Sequence, residues 1–183
     1  MTNRWSERGQ SVVEFALVLP LMLIILLAVV DLARVYTTLM SVESAAREAA
    51  DFGTTMGAGR WTAGAPMDGT VAEMQRRACI AASDLADYED PDNDPTTGCT
   101  NPSFSYCMTA SAGGPCEAPA AGCDDPLRTT PCTVTVTMRH RFGLIAPMGI
   151  DFFGVHLGLP GSLTFERDST YAMTDIDLSP GGP

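Results

Sequence analysis

Residues 8–35 read RGQSVVEFALVLPLMLIILLAVVDLARV, and the rest of the chain is interpreted from this stretch. From Val12 to Val30 there are 19 residues whose only charge is Glu14 and whose only helix breaker is Pro20. At about 1.5 Å of rise per residue they span roughly 28 Å, enough to cross the hydrocarbon core of a bilayer. Past Val30 the apolar residues become periodic. Leu32, Val35, Leu39, Val42, Ala46 and Ala49 recur every three or four residues and draw a seam along one face of a continuing helix. Glu43 and Arg47 stand at i,i+4 in the favourable order, and Gly53 supplies a helix stop. The expectation is one helix over residues 10–52, roughly 64 Å long, membrane-spanning in its first half. Small residues in its distal half suit close approach of a second helix, from the same chain or from another subunit; the seam alone does not decide between them.

The rest of the chain is polar and acidic. Net charge is −11 over 183 residues, and all eleven basic residues are arginines. Such a field repels phosphate, so the sequence predicts no nucleic-acid partner. Arg4 and Arg8 precede the apolar run against the single Glu7, so the N-terminus is expected to stay cytoplasmic and the acidic remainder to be translocated.

After a glycine-rich linker over residues 53–69, a second helix is expected over residues 70–88, with Val71, Met74, Ala78, Ala81, Ala82 and Leu85 on one stripe. Residues 89–131 are rich in Pro, Gly, Asp, Thr and Cys and lack the periodicity of a core. Strands are predicted over residues 132–142 and 162–173, pairing as an antiparallel ribbon. Between them GLIAPMGIDFFGVHLGLPG, residues 143–161, is apolar but punctuated by Gly and Pro; covering the sheet and touching the bilayer are both open to it. Residues 175–183 read as a flexible tail. The fold class is therefore α+β: a long N-terminal transmembrane helix, then a small domain over residues 70–174 with one helix, an antiparallel ribbon and a Cys-rich loop.

Cys79, Cys99, Cys107, Cys116, Cys123 and Cys132 all follow the apolar run. An even set in a translocated domain predicts disulfides, and fifteen pairings are open. No C-x-x-C pair supports zinc, and no cofactor is expected. Asp90, Asp92 and Asp94 alternate like the oxygens of a calcium loop, but Pro95 and Asn101 stand where an EF-hand needs Gly and Glu, so a solvated acidic turn is the expectation. Gly57 and Gly59 follow a helix rather than a strand, the wrong setting for a dinucleotide fingerprint. No G-x-S-x-G elbow, phosphate loop or H-E-x-x-H occurs, so no enzymatic activity is expected.

A carboxylate at a helix centre costs on the order of 2.5–3.5 kcal/mol to insert, less near the interface, so Glu14 needs a reason. A cut between Gly9 and Gln10 would create an α-amine about 6 Å of axial rise before Glu14, at a helix N-terminus that favours negative charge. In a bundle of staggered helices the carboxylate of one subunit meets the amine of the next. The simpler reading leaves Glu14 solvated at the headgroup level.

Gly9, Glu14 five places on, Phe15 and Pro20 resemble a type IV prepilin signal. More narrowly, GQSVVEFALVLPLMLIILLAVVDLAR with SAAREAADFG resembles the TadE-like family of Flp/Tad pilus assembly proteins, over roughly residues 8–53. The resemblance implies a minor pseudopilin of a bacterial inner membrane, with residues 1–9 as leader removed by a prepilin peptidase and a periplasmic C-terminal domain. It implies subunit recognition through Glu14, and other pilins, pseudopilins and the pilus assembly machinery as partners. The paralogous TadF type stays open. Two rival readings are an exported acidic binding protein with a cleaved signal peptide, and a permanent signal-anchor tether.

Overall fold

The computed structural model describes residues 6–110, 114–117, 119–128, 131–145, 149–152, 155–158 and 161–173. The elements run in the order α1 (Ser6–Thr55), a 3-10 turn (Ala58–Trp61), α2 (Ala65–Ala81), β1 (Ser103–Thr109), β2 (Thr133–Gly143), β3 (Gly149–Phe152), β4 (Val155–Gly158) and β5 (Ser162–Ala172). The α+β class holds: a long apolar N-terminal helix, a second helix, a three-stranded antiparallel sheet and disulfides. The chain divides into two compact units. One holds residues 1–37 and 144–162, the other residues 38–143 and 163–183. The expected tail at 175–183 lies outside the described residues.

In the first unit, α1 runs unbroken through Pro20. Proline removes one backbone donor and leaves the carbonyl of Ala16 without its i+4 partner, a cost of about 3 kcal/mol in a helix interior that membrane helices commonly tolerate. Every residue from Ser11 to Val30 is exposed. The segment 143–161 contributes the β3–β4 hairpin, an antiparallel pair separate from the main sheet. Its base is closed by the Leu144 amide donating to the Gly161 carbonyl at 3.2 Å.

In the second unit the sheet order is β1-β2-β5. β2 is central because it alternates cleanly: Val134, Val136, Met138, His140 and Phe142 are buried, while Thr133, Thr135, Thr137, Arg139 and Arg141 take the other face. Cross-strand pairs tie that outer face, with Thr109–Thr133 hydroxyls at 2.6 Å, Thr135–Thr170 at 2.8 Å and Arg139–Glu166 at 3.6 Å. Against the inner face pack Val42, Ala45, Ala46, Ala49 and Ala50 of α1, Met74, Ala78 and Ala82, and Trp61. The alanines let helix backbone approach closely, so the distal seam is used inside the chain.

Several expectations change. α1 starts at Ser6, not residue 10, and passes Gly53 to end at Thr55. Gly53 is a close-approach glycine rather than a stop: a Cβ there would lie 2.8 Å from Met74 Sδ and 3.4 Å from Trp61 Cζ2. The turn is made by Gly57 at φ 73°. The segment 53–69 is no loose linker, since it holds the 3-10 turn, fully buried Trp61 and the first residues of α2. α2 begins at Ala65, with Pro66 in its first turn, and stops at Ala81, which is exposed rather than on the buried stripe. Beyond it the chain turns through Asp87 at φ 62°. The Asp87 carboxylate accepts from the Gly143 amide at 2.6 Å, and its carbonyl accepts from the Asn101 side chain. The Cys-rich segment 89–131 contains β1, whose pairing with β2 from Ser103↔Arg139 to Thr109↔Thr133 makes the expected two-stranded ribbon three-stranded.

Disulfides join Cys79–Cys99, Cys107–Cys116 and Cys123–Cys132. The first ties the end of α2 to the approach to β1, the second links β1 to the following loop, and the third closes the loop leading into β2. Each short cross-link removes roughly 2–4 kcal/mol of freedom from the unfolded chain. They hold in place a segment that has little core of its own.

His140 is the one histidine in the buried face of β2. Burial pushes its imidazole below the ordinary value, with the Ala86 carbonyl and the Asp87 carboxylate pulling weakly the other way. The unfolded chain therefore binds this proton more readily than the folded one. Stability from this group is complete above about pH 6.5 and is lost as pH falls through that value toward the lower folded one. Urea midpoints of full-length protein in detergent should fall between pH 7 and 5, and His140→Leu should flatten that slope. A slope unchanged by His140→Leu would assign it elsewhere.

Candidate functional site on the N-terminal helix

Gly9 and Gln10 lie inside the first turns of α1, in helical backbone. Glu14, Phe15 and Pro20 follow on the fully exposed part of the helix, Phe15 being 66% exposed. Glu14 is therefore an ionisable side chain on an otherwise apolar outer surface that continues to Val30. By length and composition this helix can cross a membrane, and none of its apolar window is buried within the chain. In the core helix of a soluble protein, that window would be covered.

The first polar residue beyond the run behaves differently. Asp31 is only 7% exposed. Its Oδ1 accepts from Arg34 Nη1 at 3.3 Å, one turn on, and from the amide of Ile145 at 3.2 Å. Asp31 thus joins the end of the apolar run to the strand of chain that enters the β3–β4 hairpin. The sequence marked Asp31 only as part of a motif; nothing in its spacing pointed to residue 145.

The expected seam divides. Val42, Ala46 and Ala49 are buried, Val35 and Leu39 are half-buried, and Leu32 is 69% exposed. Leu32 falls outside the seam because the buried face at that level is taken by Asp31 and Thr38. Residues Leu32, Tyr36 and Met40 instead form a short exposed apolar stripe at i,i+4 spacing.

At the distal end of α1, Arg77 of α2 donates to Glu48 at 3.3 Å and lies 4.2 Å from the Phe52 ring centre. Glu73 accepts from Arg76 Nε at 2.6 Å and Arg77 Nε at 2.9 Å. The Arg76 hydrogen bond, against partial burial and with help from Arg77, lowers the Glu73 carboxyl to about 2. Of these ion pairs, Arg77–Glu48 joins the two helices, and the two made by Glu73 lie within α2.

The acidic loop is self-contained. Asp90 Oδ1 accepts from the Asp92 amide, Asp92 Oδ2 from the Thr97 hydroxyl, and Asp94 Oδ1 from the Thr96 amide and hydroxyl. The Thr96 bonds hold the Asp94 carboxyl below its usual range. Among the described residues, no group of three or more His, Cys, Asp or Glu side chains is placed to hold a metal.

The arrangement defines a class: an α+β domain built on the distal half of a long helix whose proximal half is apolar and uncovered, compatible with a membrane anchor. Residues 9–51 match the model of the family described as TadE-like protein, so α1, from Gly9 almost to its end, is a TadE-like segment. No curated protein and no solved structure matches the chain significantly.

Proposed function

We propose that this chain is a minor pseudopilin-like structural component in the assembly of a Flp/Tad pilus. A prepilin peptidase cuts it after Gly9, and α1 anchors it in a bacterial inner membrane with the disulfide-linked domain in the periplasm. Other pilins, pseudopilins and the inner-membrane assembly machinery are its partners, and Glu14, with Phe15 and Pro20, forms the recognition face. The observation that carries this reading is a TadE-like helix that is uncovered over Ser11–Val30 and folded into its own domain from Val42 onward.

The same continuity argues against an exported, released protein. A signal peptidase would have to cut within α1, which bonds to the later chain through Asp31 and packs into the domain core through Val42, Ala45, Ala46, Ala49 and Ala50. A plain tether leaves Glu14 without a role.

Deleting the gene from a bacterium that carries it is expected to remove surface pili, seen by electron microscopy, and the full-length chain supplied in trans should restore them. Unchanged piliation in the deletion strain would contradict the assignment.

A further inference from the structure

Two of the disulfides are sealed in the domain and the third is not. The cysteines of Cys79–Cys99 and Cys123–Cys132 are all buried. In Cys107–Cys116, whose members stand nine positions apart, Cys107 is half-buried and Cys116 is exposed. The difference follows from the pleat of β1. Met108 is buried in the core, so Cys107 beside it points to the opposite face, with Ser103, Ser105 and Thr109. That is the outer face, where the Thr109 hydroxyl meets Thr133, and the helices pack on the other side. What this bridge holds is the free edge of β1. Met108 exchanges both of its backbone hydrogen bonds with Glu117, each at 3.0 Å, although β2 lies along its other side. In an antiparallel pair successive residues turn their N–H and C=O alternately toward and away from the partner strand, so Phe104 and Tyr106, in phase with Met108, also face away from β2. Among the described residues neither makes a backbone bond on that side. Glu117 thus covers the last of three outward positions, and its neighbour Cys116 is what the disulfide fastens to β1.

We infer that Cys107–Cys116 is a thiol-exchange site and a clasp on the β1 edge: a dithiol opens it selectively and releases Glu117 from Met108, while the other two bridges keep the domain cross-linked. Access is the deciding quantity, because exchange needs a thiolate to reach one sulfur as the other sulfur leaves. The incoming thiolate bonds to the Cys116 Sγ, the Cys107–Cys116 bond breaks, and its electron pair leaves on the Cys107 Sγ. The second thiolate of the dithiol then displaces Cys116 as a thiolate, so two cysteines are reduced while the dithiol is oxidised to its own disulfide. Once open, the edge presents the N–H and C=O groups of Phe104, Tyr106 and Met108 in a row, and the redox state of one bridge sets how much of the sheet edge is free. The clasp belongs to the domain and does not depend on what α1 binds.

The test uses the full-length protein in detergent with its disulfides intact; all six cysteines are paired, so every thiol that appears reports an opened bridge. The protein is treated with dithiothreitol, or with a reduced C-x-x-C oxidoreductase, and thiols are alkylated at timed intervals and mapped by peptide mass spectrometry. Cys107 and Cys116 should be alkylated together, about tenfold or more faster than the other four cysteines. Reaction with both reagents marks a clasp open to protein thiols, and reaction with dithiothreitol alone marks one open to small thiols. Equal rates for the three bridges, or earlier opening of Cys79–Cys99 or Cys123–Cys132, would overturn the inference. Amide exchange on the selectively opened protein reads the clasp itself. The Met108 and Glu117 amides should exchange about tenfold or more faster than in the intact protein, while those of Cys107 and Thr109, which face β2, keep their protection. Unchanged protection at Met108 and Glu117 would overturn the clasp, and loss of protection throughout β1 and β2 would make the bridge a support of the whole sheet instead.

Discussion

Glu14→Ala is expected to leave the protein in the membrane and to abolish its contribution to pilus assembly. An ionised carboxylate opposes insertion by on the order of 2.5–3.5 kcal/mol at a helix centre and by less near the interface, so alanine makes the span more apolar and anchoring no weaker. What disappears is the one charge on the exposed surface from Ser11 to Val30. In the proposed assembly that charge meets the new α-amine of a neighbouring subunit, where low dielectric makes the pair strong and leaves the amine costly to bury alone. Glu14→Gln keeps the shape without the charge and should fail in the same way. Membrane fractionation with electron microscopy of surface pili reads both halves. Normal piliation in either variant would remove Glu14 from the recognition role.

The second large effect concerns the domain. Trp61→Ala should destabilise it by about 3–5 kcal/mol, the range for truncating a buried aromatic residue. Trp61 is fully buried, its ring centre lies 6.0 Å from that of Tyr106, and its Nε1–H donates to the Gly53 carbonyl at 3.1 Å. It therefore joins the end of α1, the 3-10 turn and the edge strand β1, and alanine would leave both a cavity and a helix carbonyl without its partner. Urea unfolding of the full-length protein in detergent, followed by circular dichroism, should show a clearly lower midpoint. A midpoint within a few tenths of a kcal/mol of wild type would mean that the core closes without the indole.

The long helix and the central strand were legible because their signals are strong and local. Continuous hydropathy marked the proximal half of α1, the three-and-four spacing marked its distal half, and Val134, Val136 and Met138 alternating with threonines marked β2. The seam did not show which partner it met, and Leu32 was placed on it because spacing ignores what competes for the buried face, here Asp31 and Thr38. β1 was missed although Phe104, Tyr106 and Met108 alternate with Ser103, Ser105 and Cys107; the Pro, Gly and Asp residues around it dominated the window. Trp61 was hidden for a similar reason, since the glycines beside it suggested a linker. One of them, Gly53, is there so that Trp61 and Met74 can approach the helix backbone.

For the candidate site, sequence placed Gly9, Gln10, Glu14, Phe15 and Pro20 on one helix, and the structure adds that this helix is uncovered from Ser11 to Val30. The long-range bond from Asp31 to residue 145 had no local signal. Nor did the disulfide pairing, which depends on which strands become neighbours: Cys107 lies on β1, Cys79 at the end of α2, and their partners follow from the loops between.

The central claim is that this chain is a processed pseudopilin rather than an anchor or a secreted protein. N-terminal sequencing and intact mass of the protein extracted from membranes of cells containing the prepilin peptidase test it most directly. The predicted result is a chain beginning at Gln10 with three intact disulfides. A chain still beginning at Met1, or one beginning beyond Ala28, would contradict the account.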